Sequence, residues 1–213
     1  MPLLIVPANS AADSGNDNGL FGYGYVQSPA SWLSVSNKVA NTGVVATDTT
    51  GVGTGRRELA ACEYGGDKGI FGYGFNSPAA PPGFMAMTNL VSNTGGIGTD
   101  VTGVGDDRRM LAACEYGDDK GIFGYGSSPS NTATTNLVSN TGVVATDTTG
   151  VGQSRTMLAA CEYGGDKGVF GYGQSPEHTE LSMTNLVSNT GVVATDTTGV
   201  GTSRSMLAGC SYN

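Results

Sequence analysis

Short apolar segments alternate along the chain with Gly/Asp and Asn-Thr-Gly turn signals, and no segment shows a helical apolar period of useful length. One stretch reads RRMLAACEY, then the turn Gly117-Asp118-Asp119, then KGIFGYG. The next reads TNLVS, then the turn Asn140-Thr141-Gly142, then VVATDTT. Short apolar runs bounded by such turns are typical of antiparallel hairpins. The pattern predicts an all-β chain built from groups of four strands.

This order of segments occurs four times. Each copy reads Phe-Gly-Tyr-Gly, a variable stretch, a block such as TNLVSNTGVVATDTTGVG, and then Arg-x-x-Leu-Ala-(Ala/Gly)-Cys. A period of about fifty residues with four strands is the size of a propeller blade. We therefore predict an N-terminal apolar strand and flexible linker at 1–17, followed by a β-propeller at 18–213. Its four repeats span about 18–65, 66–117, 118–164 and 165–213.

The repeat is offset within the chain. The propeller region opens with a second strand at Asn18 and closes with a first strand, RSMLAGCSY, from Arg204. Pairing of Arg204–Tyr212 with Leu20–Gly24 would complete one composite blade and close a four-bladed ring, which removes exposed sheet edges. An open stack of repeats, or a ring formed by two chains, is the alternative.

The order of motifs resembles the kelch repeat: an Arg-x-x-x-Ala-Ala strand, a turn, a hydrophobic strand ending in glycines, and two further strands. The similarity covers nearly the whole chain after Asn18. It departs where a tyrosine separates the glycines (Gly72-Tyr73-Gly74) and where the tryptophan of the fourth strand is missing. The amino-acid sequence of the repeats is also similar to that of repeat proteins from environmental bacteria and phages. The resemblance implies a kelch-like propeller and no particular reaction.

The net charge and the distribution of basic residues limit which kinds of molecule the protein can bind. Only 13% of residues are charged, yet the formal net charge at pH 7 is −8. Nucleic acids and anionic membranes bind clusters of Lys and Arg, which this sequence does not provide, so neither is a predicted partner. No stretch is long and apolar enough to span a bilayer, so no membrane insertion is predicted.

One cysteine recurs at the same place on the first strand of every repeat. Equivalent points around a ring are normally too far apart for the roughly 4.4–6.8 Å Cα separation of a disulfide. We predict reduced thiols packed between blades, with a thiolate metal ring as the alternative, although no Cys-x-x-Cys pair supports a metal. The four residues are Cys62, Cys114, Cys161 and Cys210.

An aspartate precedes an arginine by eight residues in every repeat. A fixed offset of opposite charges predicts one repeated structural contact, either a partly buried ion pair or a backbone clamp at each blade junction. The alternative is that the arginines line the channel and bind an anion. The pairs are Asp48 with Arg56, Asp100 with Arg108, Asp147 with Arg155, and Asp196 with Arg204.

Groups for catalysis are scarce. His178 is the only histidine, and no Ser-His-Asp set, nucleophile elbow or phosphate-binding loop is present. We predict that the protein is not an enzyme and has no cofactor and no metal site. An oxidase of the kind some kelch-like propellers carry out is a third possibility, for which the metal-ligating His and Tyr set is not recognisable.

The repeats differ most after Phe-Gly-Tyr-Gly. These stretches join second and third strands, so they should emerge on one face, where recognition usually occurs. The alternative is that their side chains fold back over the blade edge. The candidate binding residues are Tyr25, Trp32, Phe75, Phe84, Met85 and His178.

The segment before the repeats contains an apolar run that belongs to no blade: Leu3, Leu4, Ile5 and Val6. We predict that it docks on a neighbouring subunit, with docking on its own propeller as the alternative. The predicted function is therefore structural: self-assembly into a filament, virion or extracellular cell-surface structure through this segment and the variable loop face. The alternative is a lectin-like propeller module that binds carbohydrate or protein.

Overall fold

The computed structural model describes residues 18–77 and 83–212. All regular elements in these ranges are β-strands, as the sequence predicts, and none of the described residues forms a helix that could cross a membrane. The strands are β1 (Gly19–Gln27), β2 (Ala30–Val39), β3 (Ala60–Tyr64), β4 (Lys68–Phe75), β5 (Phe84–Val91), β6 (Ala112–Tyr116), β7 (Lys120–Gly124), β8 (Ser127–Ser128), β9 (Ser130–Asn131), β10 (Thr135–Val138), β11 (Ala159–Tyr163), β12 (Lys167–Gly171) and β13 (Thr184–Val187).

Four small antiparallel sheets follow one another along the chain, and β8 and β9 form a separate short hairpin. We number the sheets by chain order: sheet 1 is β1-β2, sheet 2 is β3-β4-β5, sheet 3 is β6-β7-β10 and sheet 4 is β11-β12-β13. In sheets 2 to 4 the first strand pairs with the second in the same register, for example Cys62 with Ile70 and Cys114 with Ile122. The repeated sequence therefore produces a repeated strand register.

The predicted fourth strand, VVATDTT, does not form a strand. It makes isolated bridges to the third strand, such as Val144 with Val138 and Thr148 with Thr135. The reason is a side chain that competes for the ladder. Asn136 donates through Nδ2 to the Ala145 carbonyl at 3.1 Å and to Asp147 Oδ1 at 2.8 Å, and so occupies the space between the two bridges.

Consecutive sheets pack through the Phe-Gly-Tyr-Gly motif. The ring of Phe123 in sheet 3 lies on Gly72 of sheet 2, where an added Cβ would be only 2.7 Å from the ring. Tyr73 meets the same ring edge to face, with 5.2 Å between centroids. It reaches this position from a bulge in β4, at a φ of 64°. The glycine is therefore required by the aromatic side chain of the next sheet, and this contact forms the core between them.

The predicted closure of the ring is not formed in the part of the chain that the structure describes. We call Leu207–Tyr212 the terminal segment; it carries no strand and lies beside β11 of sheet 4, where Ser211 Oγ donates to the Glu162 carbonyl at 3.0 Å. Strand β1 pairs only with β2. Sheets 2, 3 and 4 contact one another in chain order, and sheet 1 meets sheet 2 through the Tyr23 and Phe71 rings. Phe21 of sheet 1 and Tyr212 of the terminal segment are exposed, so the described residues form an open series of sheets.

Candidate functional site

A buried arginine connects each sheet to the next. Arg56 is 0% exposed and donates through Nε to the Tyr73 carbonyl at 2.7 Å and through Nη2 to Asn89 Oδ1 at 2.7 Å, both in sheet 2. Its guanidinium lies 4.2 Å from the ring centroid of Tyr23 in sheet 1. Burial lowers the pKa of Arg56, while the neighbouring Tyr23 raises it. The side chain thus holds two sheets together through a charged hydrogen bond and a cation–π contact.

The same junction recurs at both later sheet boundaries. Arg108 lies over Tyr73 and bonds Asn136, and Arg155 lies over Tyr125 and bonds Asn185 at 2.6 Å. These guanidiniums are 0% exposed, so they are not available to an anion in an open channel. The asparagines were not singled out from the sequence, although they recur at a fixed place in TNLVS and could have been found by that spacing.

Three of the four repeated aspartates accept bonds from backbone amides rather than from the arginines eight residues later. Asp100 accepts from Thr54 N at 3.0 Å and from Thr54 Oγ1 at 2.7 Å, both in the linker before sheet 2. Burial raises its pKa, but the bonds from Asn89 and Thr54 outweigh that and hold the pKa below its ordinary value. The equivalent bonds run to Asp147 from Asp106 N and to Asp196 from Gln153 N. Arg155 and Asp196 approach to 3.8 Å.

On the outer sides of the series the same residue positions are exposed. Phe21 is 63% exposed, whereas Phe123 and Phe170 are 0% exposed. Arg204 is exposed and lies 4.0 Å from the Tyr172 ring, with no asparagine bonded to it among the described residues. The first sheet therefore exposes one side of a sheet junction, with Phe21, and the last sheet exposes the other side, with Arg204. Between the internal sheets the equivalent residues of both sides are buried.

A groove of about 590 Å³ lies along the free edge of β1. Its walls come from Gly19 and Leu20 of β1, from Cys62 of β3, and from Gly69 and Ile70 of β4. In the internal sheets, the corresponding place beside a second strand is filled by a first strand. The groove therefore has the position and the surroundings of a missing first strand.

The four cysteines are free thiols that lie on successive first strands and on the terminal segment. Cys62 Sγ packs on Gly121, where an added Cβ would be 2.5 Å away, and Cys114 Sγ packs on Gly168 in the same way at 2.6 Å. Desolvation raises the pKa of Cys114 to about 12, so this thiol is protonated at neutral pH. No group of three His, Cys, Asp or Glu side chains that could hold a metal occurs among the described residues.

Three glutamates occupy the position after these cysteines on neighbouring first strands: Glu63, Glu115 and Glu162. Burial, followed by the charges of Glu63 and Glu162, raises the pKa of Glu115 to about 7. The row of carboxylates therefore works against the packing of the sheets when all of them are ionised.

Four of the predicted loop residues lie together. The Tyr25 and Trp32 rings are 5.2 Å apart and the Phe75 and Phe84 rings 5.9 Å apart. Arg57 lies 4.8 Å from the Tyr25 centroid. The counterpart of Arg57 is Arg109, which lies 4.8 Å from the Phe75 centroid, and neither arginine is among the binding residues predicted from the sequence. The signal was available, because Arg-Arg occurs only in the two repeats whose loops are rich in aromatics.

The remaining predicted loop residues are elsewhere. Met85 is 8% exposed and belongs to the core, and His178 is exposed with its ring 3.4 Å from Gln174 Oε1. The predicted assembly residues Leu3, Leu4, Ile5 and Val6 lie outside the described residues.

No family model matches the chain, and no curated protein matches it. Among solved structures, the structure of YjhT is similar with a TM-score of 0.55 and 14% sequence identity. The similarity covers 76% of this chain and 51% of the YjhT chain, so this chain spans about half the length of that protein. At this identity the likeness shows the fold alone: small antiparallel sheets in an arrangement that is compatible with a β-propeller.

Proposed function

We propose that this protein is a non-enzymatic structural protein that assembles with copies of itself. The observation that carries the proposal is the apolar surface at both outer sides of the sheet series. Phe21 is 63% exposed, Met206 77% and Tyr212 93%. Terminal repeats of soluble repeat proteins usually carry a polar outer face, because nothing covers them. A terminal face that keeps the apolar groups of internal repeats favours contact with another protein surface.

The exposed groups are large enough to stabilise an assembly. Covering one large apolar side chain contributes roughly 1.5–3 kcal/mol. Phe21 is 63% exposed and Tyr163 is 38% exposed, so covering both would supply on the order of 1.5–3 kcal/mol before the entropic cost of association is subtracted. Each new junction would also bring Arg204 to a hydrogen-bond acceptor of the kind that its three internal equivalents have.

A structural role is supported by what the repeated side chains contact. The three internal arginines hold sheets together, and the three later aspartates clamp backbone amides. Cys114 is protonated and packed against glycine. The three internal arginines and the three later aspartates are thus committed to contacts between sheets or with the linker before a sheet, which favours a scaffold over a reaction site.

In this proposal the four sheets are blades of a kelch-like propeller. Closure of four blades within one chain would bury the same outer surfaces as assembly of two chains, but it would leave a monomer. Docking of Leu3, Leu4, Ile5 and Val6 on a neighbouring subunit is a further part of the proposal. So is a place in an extracellular, cell-surface or virion structure, which the low charge and the repeated sequence favour.

Sedimentation velocity of the 213-residue chain over a range of concentrations tests self-assembly. We expect species heavier than the 21.5 kDa chain, in amounts that grow with concentration. A variant that lacks Met1–Pro7 separates the contribution of the N-terminal segment from that of the sheet ends. A single 21.5 kDa species at every concentration would contradict the proposal.

A second candidate function is binding of glycan or protein by the loop face, as in a lectin. It is favoured by the half-buried aromatic rings of Tyr25 and Trp32 and the neighbouring Arg57. Glycan-array binding that is lost in Trp32→Ala, with unchanged sedimentation, would favour this function. If neither the wild-type chain nor Trp32→Ala binds a glycan, the glycan-binding function is excluded and the structural proposal remains.

A further inference from the structure

We propose that the sheet series continues from one copy into the next in the register of the internal junctions. The terminal segment of one copy would then pair as a first strand with β1 of a second copy. This inference rests on the proposed self-assembly and specifies the surface and the residues that carry it. The contact is head to tail, so it generates a filament or a ring according to the rotation between copies.

The strand register follows from three internal examples. Cys62 pairs with Ile70, Cys114 with Ile122 and Cys161 with Val169. The terminal segment reads LAGCSY where the internal first strands read LAACEY, and β1 begins GLFGYG where β4 has GIFGYG. The same register places Cys210 opposite Leu20 of the second copy.

The groove beside β1 fits this strand. Its walls are β1, β3 and β4, the elements that a first strand of sheet 1 would contact if it followed the packing of β3 against β6 and β7. A cysteine side chain also has a place there. Internally Cys62 packs on Gly121, and the matching glycine for Cys210 is Gly69 of the second copy. Around Gly69 the nearest atoms to an added Cβ are at 3.6 Å, so the space is free.

The aromatic contact between sheets joins a phenylalanine ring of one sheet to a glycine of the sheet before it, and both partners are present at the outer sides of the series. Internally the Phe170 ring lies on Gly124, where an added Cβ would be 2.7 Å from the ring. The equivalent glycine on the last sheet is Gly171, and the nearest atom to its added Cβ is the Thr184 methyl at 3.3 Å, with no aromatic ring over it. Phe21 of a second copy is the equivalent ring, and it is 63% exposed.

The polar side chains on the two sides of the proposed junction are also complementary in this register. Arg155 donates to Asn185 Oδ1 at 2.6 Å, and the aligned pair across the new junction is Arg204 with Asn37 of the second copy. Asp196 accepts from Gln153 N, and the aligned acceptor for Thr202 N is Asp48 of the second copy. Among the described residues Asp48 accepts only from Asn37, so its second oxygen has room for this bond.

A third contact involves the tyrosine that ends each first strand. Tyr64 and Tyr116 are 3% exposed because Gly142 and Gly191 of the following sheet pack on their rings, with an added Cβ at 3.0 Å and 2.9 Å. Tyr163 is 38% exposed, and the matching glycine, Gly43, has no atom within 4 Å of its added Cβ. These two surfaces meet in the proposed junction, which makes a second copy of this chain the occupant that fits all positions.

A disulfide between copies tests the register. In Leu20→Cys the new thiol would lie directly opposite the native Cys210 of the next copy, within the Cα separation of about 4.4–6.8 Å that a disulfide allows. Under mild oxidation of the assembled 213-residue protein we expect a ladder of covalent multimers on a non-reducing gel, and peptide mapping that joins position 20 to Cys210. The matched control is Val26→Cys, an exposed position of β1 that has no part in the proposed junction. At about 3.3 Å of rise per residue it lies too far along the strand from position 20 to reach Cys210, so it should give at least a tenfold lower yield.

Three other results of the oxidation experiment would overturn the proposal. A bond between position 20 and Cys210 within one chain would overturn the proposal in favour of a closed monomeric ring. No such bond in a protein that sediments as an assembly would overturn the register while leaving self-assembly intact. No bond in a protein that sediments as a monomer would overturn both proposals.

Discussion

The buried guanidinium is the residue on which each sheet junction depends, and the chain offers an internal control for it. Arg155 is 0% exposed and bonded to Asn185, whereas Arg204 occupies the same repeat position and is exposed. We expect Arg155→Ala to lower the free energy of unfolding by about 3–5 kcal/mol, since it leaves buried acceptors without a donor. Arg204→Ala should cost less than about 1 kcal/mol. Urea unfolding of dilute protein measures both, and equal losses would contradict this account of the junction.

Glu115 gives the stability of the protein a pH dependence. Its pKa in the folded chain is about 7, raised by burial and by neighbouring carboxylates. A raised pKa means that its contribution to stability is present below the ordinary glutamate value and is lost as the pH rises toward and through 7. Glu115→Gln should therefore raise the free energy of unfolding at pH 8 by on the order of 1–3 kcal/mol and give no gain at pH 4.

The control for this substitution is Glu177→Gln at an exposed site. A hydrogen bond from Ser175 lowers the pKa of Glu177, so its removal should bring no gain at pH 8. Thermal unfolding of the two variants between pH 4 and 8 compares them directly. A gain for Glu115→Gln that is the same at both pH values would show that charge repulsion is not its cause.

The residue-scale contacts were only partly predictable from sequence. The fixed Asp-to-Arg offset indicates a repeated junction contact, and the structure places both side chains at the sheet junctions. Their partners could not be read from the offset, because Asn89 and Thr54 reach the junction from different strands and linkers. Pairs that depend on the packing of separate sheets are not encoded in spacing along one segment.

At the scale of elements, the glycine in each Phe-Gly-Tyr-Gly strand sets how closely sheets approach. An added Cβ at Gly124 would lie 2.7 Å from the Phe170 ring, while at Gly171 it meets only the Thr184 methyl at 3.3 Å. Gly124→Ala should destabilise the chain by about 1–3 kcal/mol through overpacking. Gly171→Ala, at the same repeat position, should cost clearly less in unfolding experiments at concentrations below assembly. Equal costs would show that the packed ring is not the reason for the glycine.

In the first three repeats, three of the four strands could be predicted from apolar runs and turn residues, whereas in the last repeat the predicted first strand from Arg204 does not form. The fourth could not, although Val, Thr and Ala suit a strand. Its ladder position is shared with the asparagine side chain of the third strand, and such competition depends on a contact between two segments. In sheet 2, for example, Asn89 donates to the Gly98 carbonyl at 3.0 Å.

At the scale of the whole molecule, the all-β fold and its repeated antiparallel sheets follow from the sequence, but the way in which the ends of the series are joined does not. Identical repeats stack in the same way whether the series closes or stays open, and the angle between sheets is set by side-chain packing that local patterns do not specify. The described chain is open, with Phe21 and Tyr212 exposed at opposite ends of the series.

The central claim is that copies join through the internal junction, and sedimentation velocity of Gly171→Ala beside the wild-type chain tests it most directly. The added methyl group occupies the place that Phe21 of the next copy would take, and it touches no aromatic ring within its own chain. We predict that the wild-type chain forms concentration-dependent multimers, whereas Gly171→Ala stays at 21.5 kDa with an unfolding transition close to that of the wild type. Val143→Ala, which removes apolar surface away from both ends of the series, should assemble like the wild type. Multimers of unchanged size and affinity in Gly171→Ala would contradict the claim.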